Sequence, residues 1–324
     1  MFKILFTVIA LIWQVVAQEA QWNTEDFLKR HHSMVKPYLT SGLSIPYWDV
    51  HGFALASSNY VRLTADLQSR YGAIWNTVPV YMNNWEVQIT LKIHGKGKEL
   101  FGDGMAFWYV RDRMEGGPVF GNKDFFSGLG VIIDTYSNHN GEHNHNHPYL
   151  SAMVNNGSLH YDHDMDGTHT QLAGCECKLR NLNHDTHIAI RYEDENLTVS
   201  TDFENKAAWK ECFKVSGVKL PTGYYFGVSA ATGDLSDNHD VLGIRTYELE
   251  FPGEKRVVED RSHIIPSAIT FEPPRERVPD AKKGMSGVKM FFLILIGLVV
   301  LGALAVIGLL FYQKYQDNKR KRFY

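Results

Sequence analysis

An all-β sandwich of jelly-roll type is the fold class that the sequence predicts, and three observations carry it. Between about Val35 and Phe251 the hydrophobic period is two rather than 3.6, the apolar runs are rich in aromatic and β-branched residues, and Gly, Asn and Asp turns separate them with no long amphipathic helix. In "NNWEVQITLKIHG", Trp85, Val87, Ile89, Leu91 and Ile93 share one face. Glu86, Gln88, Thr90, Lys92 and His94 share the other, which predicts a half-buried antiparallel strand. "HIAIRYEDENLTVSTDF" predicts a hairpin, with Ile188, Ile190 and Tyr192 before a polar turn at Glu193–Asn196 and Leu197 and Val199 after it. The runs "GMAFWYVRD", "GLGVIIDTY" and "GYYFGVSAATGD" are continuously apolar, as expected of strands buried on both faces.

The two ends predict a membrane protein. Residues 1–17 carry Lys3, then an apolar run closing on Val15 and Ala17, the layout of a cleaved secretory signal peptide. Met290–Tyr312 holds no charged side chain, and at ~1.5 Å per residue such a run reaches ~35 Å as a helix, enough to span a bilayer core. Gly297, Gly302 and Gly308 do not form a GxxxG face. Basic residues flank both ends of the span, more densely after it, and the signal peptide sets the orientation with residues 18–289 in the lumen. The expected organisation is a signal peptide at 1–17, a β-domain at 35–252, a stalk at 253–289, a transmembrane helix at 290–312 and a cytosolic tail at 313–324. The stalk reading rests on the charged, Pro-rich "EPPRERVPDAKKGMSG".

A formal net charge of −3 over 324 residues, with no basic stripe studded by aromatics, gives no footprint for nucleic acid. An oxidising lumen turns three cysteines into one disulfide and one leftover. Cys175 and Cys212 flank a strand pair, although spacing equally allows Cys177 with Cys212. Asn156-Gly157-Ser158 and Asn196-Leu197-Thr198 are glycosylation sequons.

Chemistry-bearing residues gather in turns. "GDG" at 102–104, "DTYSN" at 134–138, "YDHDMDG" at 161–167 and "ATGDLSDNHD" at 231–240 supply the carboxylates, amides and carbonyls that Ca²⁺ requires. Asp134, Asn138 and the Tyr136 carbonyl are spaced to face one ion. A glycosidase would need two opposed carboxylates along strands, and neither Gly-x-Ser-x-Gly nor His-Glu-x-x-His occurs, so no enzyme is expected. Beside this loop, His139, His143, His145 and His147 alternate with asparagines in "NHNGEHNHNHPY". They lack the fixed spacing of a structural zinc site and read as a divergent connection whose protonation in acidic compartments would weaken the neighbouring ion site.

"YWDVHGFALASSNYVRLTADLQSRYGAIWN", "GDGMAFWYVRDR", "IDTYSN", "MVNNGSLHYDHDMDG", "LPTGYYFGVSAATGDLSDNHD" and the terminal "KRFY" resemble the animal L-type (leguminous-type) lectins of the secretory pathway. The resemblance implies a legume-lectin-like, concanavalin A-like sandwich that binds high-mannose N-glycans with Ca²⁺. Carried over by position, it implies Asp134, the Tyr136 carbonyl, Asn138 and Asp166 as calcium ligands. It implies Asp103, Asn138, His163, Gly233, Asp234 and Leu235 as mannose contacts, with Ser69 at the rim. It also implies a Cys175–Cys212 disulfide and a glycan on Asn156; Asn196 and Cys177 have no counterpart in it. His163 would then lose its acceptor role as compartments acidify, weakening glycan binding. Phe323 and Tyr324 resemble an export signal read by vesicle-coat components, and Arg320, Lys321 and Arg322 resemble an arginine-based retrieval signal. Together they imply a single-pass type I protein of the endoplasmic reticulum, the ER–Golgi intermediate compartment and the Golgi, serving as a cargo receptor or quality-control lectin. The alternative is a sugar-independent membrane adaptor of the early secretory pathway, using the same sandwich.

Overall fold

The computed structural model describes residues 27–39, 44–138, 145–249, 260–268, 297 and 301–314. The early strands are β1 (Trp48–Gly52), β2 (Leu55–Ala56), β3 (Val61–Thr64), β4 (Tyr71–Asn76) and β5 (Trp85–His94). Then follow β6 (Gly104–Val110), β7 (Ser127–Asp134), β8 (Tyr149–Asn156), β9 (Ala173–Glu176), β10 (Thr186–Glu193) and β11 (Asn196–Asp202). The last are β12 (Lys210–Ser216), β13 (Val218–Lys219), β14 (Tyr225–Ala231), β15 (Asn238–Glu248) and β16 (Ser267–Ala268). One seven-stranded sheet runs β1-β4-β14-β6-β7-β8-β9, a second runs β12-β11-β10-β5-β15-β3-β2, and β13 pairs with β16.

The strand patterns explain the layering. On β5 the apolar row Trp85, Val87, Ile89, Leu91 and Ile93 is buried while Gln88, Thr90, Lys92 and His94 are partly exposed. That row packs into the core between the sheets, where Trp85 lies 5.0 Å from the Phe226 ring and 5.4 Å from that of Tyr109. Strands β6 and β7 are buried on both faces, as their unbroken apolar runs predict. Their second face, with Trp108 and Ile132 beside Trp75 of β4, packs under Phe120, Phe126 and Tyr161 from the connecting segments. The Trp108 indole donates to Ser229 Oγ at 2.7 Å, and Ser229 passes its own hydroxyl to the Phe120 carbonyl, which pins this covering layer to the sheet.

The predicted hairpin is β10–β11, its turn made by Asp194 and Glu195 at φ +49° and +62°, the left-handed pair that suits the twist of the strands. The disulfide joins Cys175 on β9 to Cys212 on β12, edge strands of the two sheets. Cys177 is the free, buried thiol, and burial pushes its pKa up.

One stretch expected in the stalk packs on the domain. Residues 260–268 return to it: β16 pairs with β13, and Arg261 donates to the Tyr192 hydroxyl at 3.1 Å and to Glu195 at 3.3 Å. Residues 301–314 are helical, and among the described residues no helix is long and apolar enough to cross a membrane. Residues 290–296 and 298–300 of the span reading, the signal peptide and the tail residues Arg320, Lys321, Arg322, Phe323 and Tyr324 lie outside the described residues.

Candidate functional site

Antiparallel register places one row of residues across the end of the first sheet. Ala231 pairs with Gly104, Gly104 with Asp134, and Asp134 with Tyr149. The segments that leave or enter the sheet at this level therefore meet, although they lie far apart in sequence. They are Gly102-Asp103, residues 134–138, the return into β8, and residues 232–236.

Asp103 is held by its backbone. Its carbonyl accepts from both the amide and the hydroxyl of Thr135 at 2.9 Å, its amide donates to the Ala231 carbonyl at 3.3 Å, and the Gly102–Asp103 peptide is cis. Gly104 has φ +152°, and a Cβ there would stand 2.3 Å from the Ile133 carbonyl, so this close strand approach needs glycine. A Cβ on Gly233 would come within 3.0 Å of the Asp103 carboxylate, so glycine keeps that carboxylate's approach open. The neighbouring loop is tied to Gly233-Asp234: Ser69 donates its amide to the Gly233 carbonyl at 3.0 Å, and Gln68 Nε2 donates to the Asp234 carbonyl at 2.7 Å. A Cβ on Gly102 would touch both Tyr136 and Leu235, which brings Leu235 against the 134–138 turn.

Two carboxylates lie at the centre. Asp134 and Asp166 are buried at 6% and 5% exposure. Asp134 Oδ1 accepts the Tyr136 amide at 3.0 Å, which bends the chain after β7, and Asp166 Oδ1 accepts the Asn138 amide at 2.9 Å. Asp166 ends the 3₁₀ turn His163–Met165 in the left-handed conformation at φ +50°, a turn capped at its start by Asp162. Among the described residues no Lys or Arg pairs with Asp134 or Asp103. Burial, then the charges of Asp166 and Asp103, raises Asp134 well above the ordinary carboxyl range, against the pull of the Tyr136 amide. Burial, reinforced by Asp234, pushes Asp103 up to about 6. A divalent cation is a partner that the hard oxygens of acids buried in this way suit.

His163 Nε2 donates to the Pro118 carbonyl at 3.1 Å, and its ring packs 4.8 Å from Tyr161 and 5.4 Å from Phe120. In the neutral ring this leaves Nδ1 as an acceptor. Burial lowers its pKa from the ordinary value, so the charge change expected in mildly acidic conditions moves to more acidic pH.

The structure thus brings Asp103, Asp134, Tyr136, Asn138, Asp166, Gly233, Asp234, Leu235 and Ser69 to one end of the first sheet, and holds His163 three residues before Asp166. It also brings in a residue that sequence reasoning left in a bystander loop. The His147 side chain is 5% exposed, and its Nε2 faces Asp134 Oδ2 at 4.0 Å and Asp166 Oδ2 at 3.8 Å. The signal was available: β8 begins opposite Asp134, so the residue two places before Tyr149 returns to the end of β7. His145 stacks on Tyr149 at 3.5 Å, while His139 and His143 lie outside the described residues. Of the sequon residues, Asn156 is exposed at the end of β8. Asn196 is tied into its hairpin by bonds to the Glu193 and Asp194 carbonyls.

Residues 25–256 match the model of the legume-like lectin family. The VIP36-like protein of Mus musculus is 47% identical over 304 residues, covering 92% of this chain and 86% of that one. The vesicular integral-membrane protein VIP36 of Canis lupus familiaris is 46% identical over 324 residues, covering 97% and 90%. The crystal structure of the VIP36 exoplasmic/lumenal domain in its Ca²⁺/Man-bound form superposes with a TM-score of 0.71 at 50% identity, covering 74% of this chain and 98% of that one. The sandwich, the row of loops at its end and these likenesses lead to one conclusion: the chain belongs to the legume-like lectin family.

Proposed function

We propose that this protein is a Ca²⁺-dependent lectin for high-mannose N-glycans, acting as a cargo receptor or quality-control lectin in ER–Golgi transport. One observation carries the reading: Asp134 is buried beside Asp166 with no Lys or Arg paired to it among the described residues, at the sheet end where Asp103 and Gly233 meet. Support also comes from the half-identical VIP36 lumenal domain, which is known in Ca²⁺/Man-bound and Ca²⁺/Man3GlcNAc-bound forms.

In this reading Asp134, the Tyr136 carbonyl, Asn138 and Asp166 hold the ion, which brings positive charge to the two buried carboxylates. Tyr136 and Asn138 are already tied to those carboxylates through their amides, so the ion-holding turn is preformed. Vicinal hydroxyls of mannose donate to the Asp103 carboxylate and meet the Asn138 amide, while His163 Nδ1 accepts a further hydroxyl. Gly233, Asp234 and Leu235 bound the sugar with Ser69 at the rim. Capture and release is the output and no bond is cleaved. A single sugar buries little surface, so affinity comes from branched arms and multivalent cargo.

The remaining parts follow the same reading. Residues 1–17 are a signal peptide, 35–252 the lectin domain, 253–289 lumenal chain, 290–312 a transmembrane helix and 313–324 a cytosolic tail. Asn156 and Asn196 carry N-glycans. Phe323 and Tyr324 engage vesicle-coat components, Arg320, Lys321 and Arg322 direct retrieval, and the protein cycles among ER, intermediate compartment and Golgi as a single-pass type I protein. A glycan array probed in Ca²⁺ and in EDTA tests the lectin reading. Signal on high-mannose glycans that EDTA removes is expected, and absence of that signal in Ca²⁺ overturns it.

A further inference from the structure

Asn156, proposed above to carry an N-glycan, stands beside a surface shaped to receive its first sugar. Asn155 is fully buried and ties the loop down. Its Oδ1 accepts the amides of Gly157, Ser158 and Leu159 at 2.9, 3.1 and 3.1 Å, and its Nδ2 donates to the Leu159 carbonyl at 2.7 Å. Asn156 Oδ1 accepts the Ser158 amide at 3.1 Å and the Ser158 hydroxyl at 2.5 Å. Its Nδ2, the atom that takes the sugar, is left uncommitted among the described residues. Register sets what lies alongside. Asn156 pairs with Ser127, two residues after Phe125, and a Cβ on Gly157 would stand 3.7 Å from the Phe125 carbonyl.

Phe125 is half-exposed, and it is held there rather than loose. Its backbone is left-handed at φ +52°, a conformation that a bulky side chain rarely takes. Asp124 fixes the arrangement: Oδ1 accepts the amides of Phe125 at 2.8 Å and Tyr161 at 3.0 Å, and His160 Nδ1 donates to Oδ2. Anchored this way, the exposed His160 ring stacks on Phe125 with centroids 5.8 Å and planes 28° apart. A lone exposed apolar side chain is ordinary, but two stacked rings fixed by one carboxylate present a flat, partly apolar surface. An N-acetylglucosamine ring has a C–H face and an acetyl methyl that such a surface takes, while its hydroxyl edge stays in water. We infer that Phe125 and His160 form a docking platform for the first N-acetylglucosamine of the Asn156 glycan. The inference rests on the reading of Asn156 as glycosylated. Asn156 lies seven residues along β8 from Tyr149, the partner of Asp134. At ~3.3 Å per residue, a sugar docked there stays ~23 Å from the proposed mannose site and does not fill it.

The test uses the full-length chain in detergent, made in cells that add high-mannose N-glycans. An endoglycosidase that cuts between the two core N-acetylglucosamines is applied to the native protein, and cleavage at Asn156 is followed by peptide mass mapping. Phe125→Ala is expected to raise the cleavage rate ~5-fold or more, the worth of one ring contact, and Phe125→Trp to keep it within ~2-fold of the wild type. Equal rates in the wild type and Phe125→Ala overturn the inference, as does a rise in Phe125→Trp as large as that in Phe125→Ala. A second measurement needs no variant to fold: proton resonances of the first sugar are read in the wild type. Upfield shifts from an aromatic ring current are expected, and resonances unchanged from those of the unfolded glycoprotein overturn the inference. An unmodified Asn156 in the mass map would instead sink the glycosylation reading itself, so the two failures are told apart.

Discussion

Two groups of buried carboxylates among the described residues are treated oppositely by the chain. Asp237 is fully buried and gripped by Arg180 through paired bonds of 2.7 Å, while Asp240 is held by Arg62 at 2.7 and 2.8 Å and by His94 at 3.1 Å. Arg180 also covers the Phe101 ring at 3.9 Å. Among the described residues, Asp134 accepts the Tyr136 amide and faces a histidine, with no guanidinium beside it. Asp237 and Asp240 are each met by a forked guanidinium, whereas Asp202, also buried, is held by the backbone amides of Glu204 and Lys206. At the proposed ion site the counter-charge would come from a bound cation.

The strongest way to break this comparison is to neutralise one acid from each place. Asp237→Asn strands the Arg180 charge in the interior and is expected to cost ~3–5 kcal/mol in urea unfolding. Asp134→Asn in Ca²⁺-free buffer removes a charge that burial disfavours, so it should leave stability unchanged or raise it. A loss as large as that of Asp237→Asn would mean that Asp134 is a scaffold acid after all. Ion addition gives the next effect. At a Ca²⁺ concentration 100 times the dissociation constant, the wild type should gain ~2.7 kcal/mol, seen as a rise in Tm, and Asp134→Asn should gain nothing.

Separating ion from sugar sharpens the comparison further. Asp103→Asn should weaken mannose-glycan binding ~10–100-fold, the worth of one hydrogen bond to a charged group, while the Ca²⁺-induced rise in Tm persists. Loss of both together would make Asp103 part of the ion site instead. The smallest effect is a pH slope in the scaffold region. His239 is fully buried, bonded to Thr64 Oγ1 at 2.7 Å through Nδ1, and burial depresses it to about 3 against the pull of Asp240. The unfolded histidine takes up its proton near ~6.5, so between that pH and about 3 the unfolded chain holds more protons and stability falls on acidification. His239→Gln should flatten this loss by up to ~1.4 kcal/mol per pH unit, and an unchanged slope would show that His239 does not drive it.

The scaffold was more legible than the site. The alternation on β5 and the polar turn at Asp194-Glu195 are local signals, and each places its strand without knowledge of the rest. Asp134, Asn138 and Asp166 are singled out as proposed ligands mainly through resemblance, since Asp and Asn in a turn are ordinary. The sequence places His147 in a connection beside the ion site, acting on it through charge, because four histidines alternating with asparagines lack a fixed ligand spacing. What gives it meaning is strand register, which returns the end of that loop to Asp134. The return of residues 260–268 had no local signal either, because it rests on Arg261 finding Tyr192 and Glu195 from far along the chain.

The disulfide also has a bearing on the site. The segment that carries Asp166 leaves β8 at Asn156 and re-enters the sheet on β9, where Cys175 is fastened across to Cys212 on the other sheet. In polymer terms the Asp166 segment is a chain with both ends tethered, one by the sheet ladder and one by a covalent clasp as well. Cutting the clasp would leave every proposed ligand intact, yet let the far tether wander and raise the entropy lost each time an ion is caught. At the proposed site, ion affinity would therefore depend on the oxidation state of a distant cysteine pair.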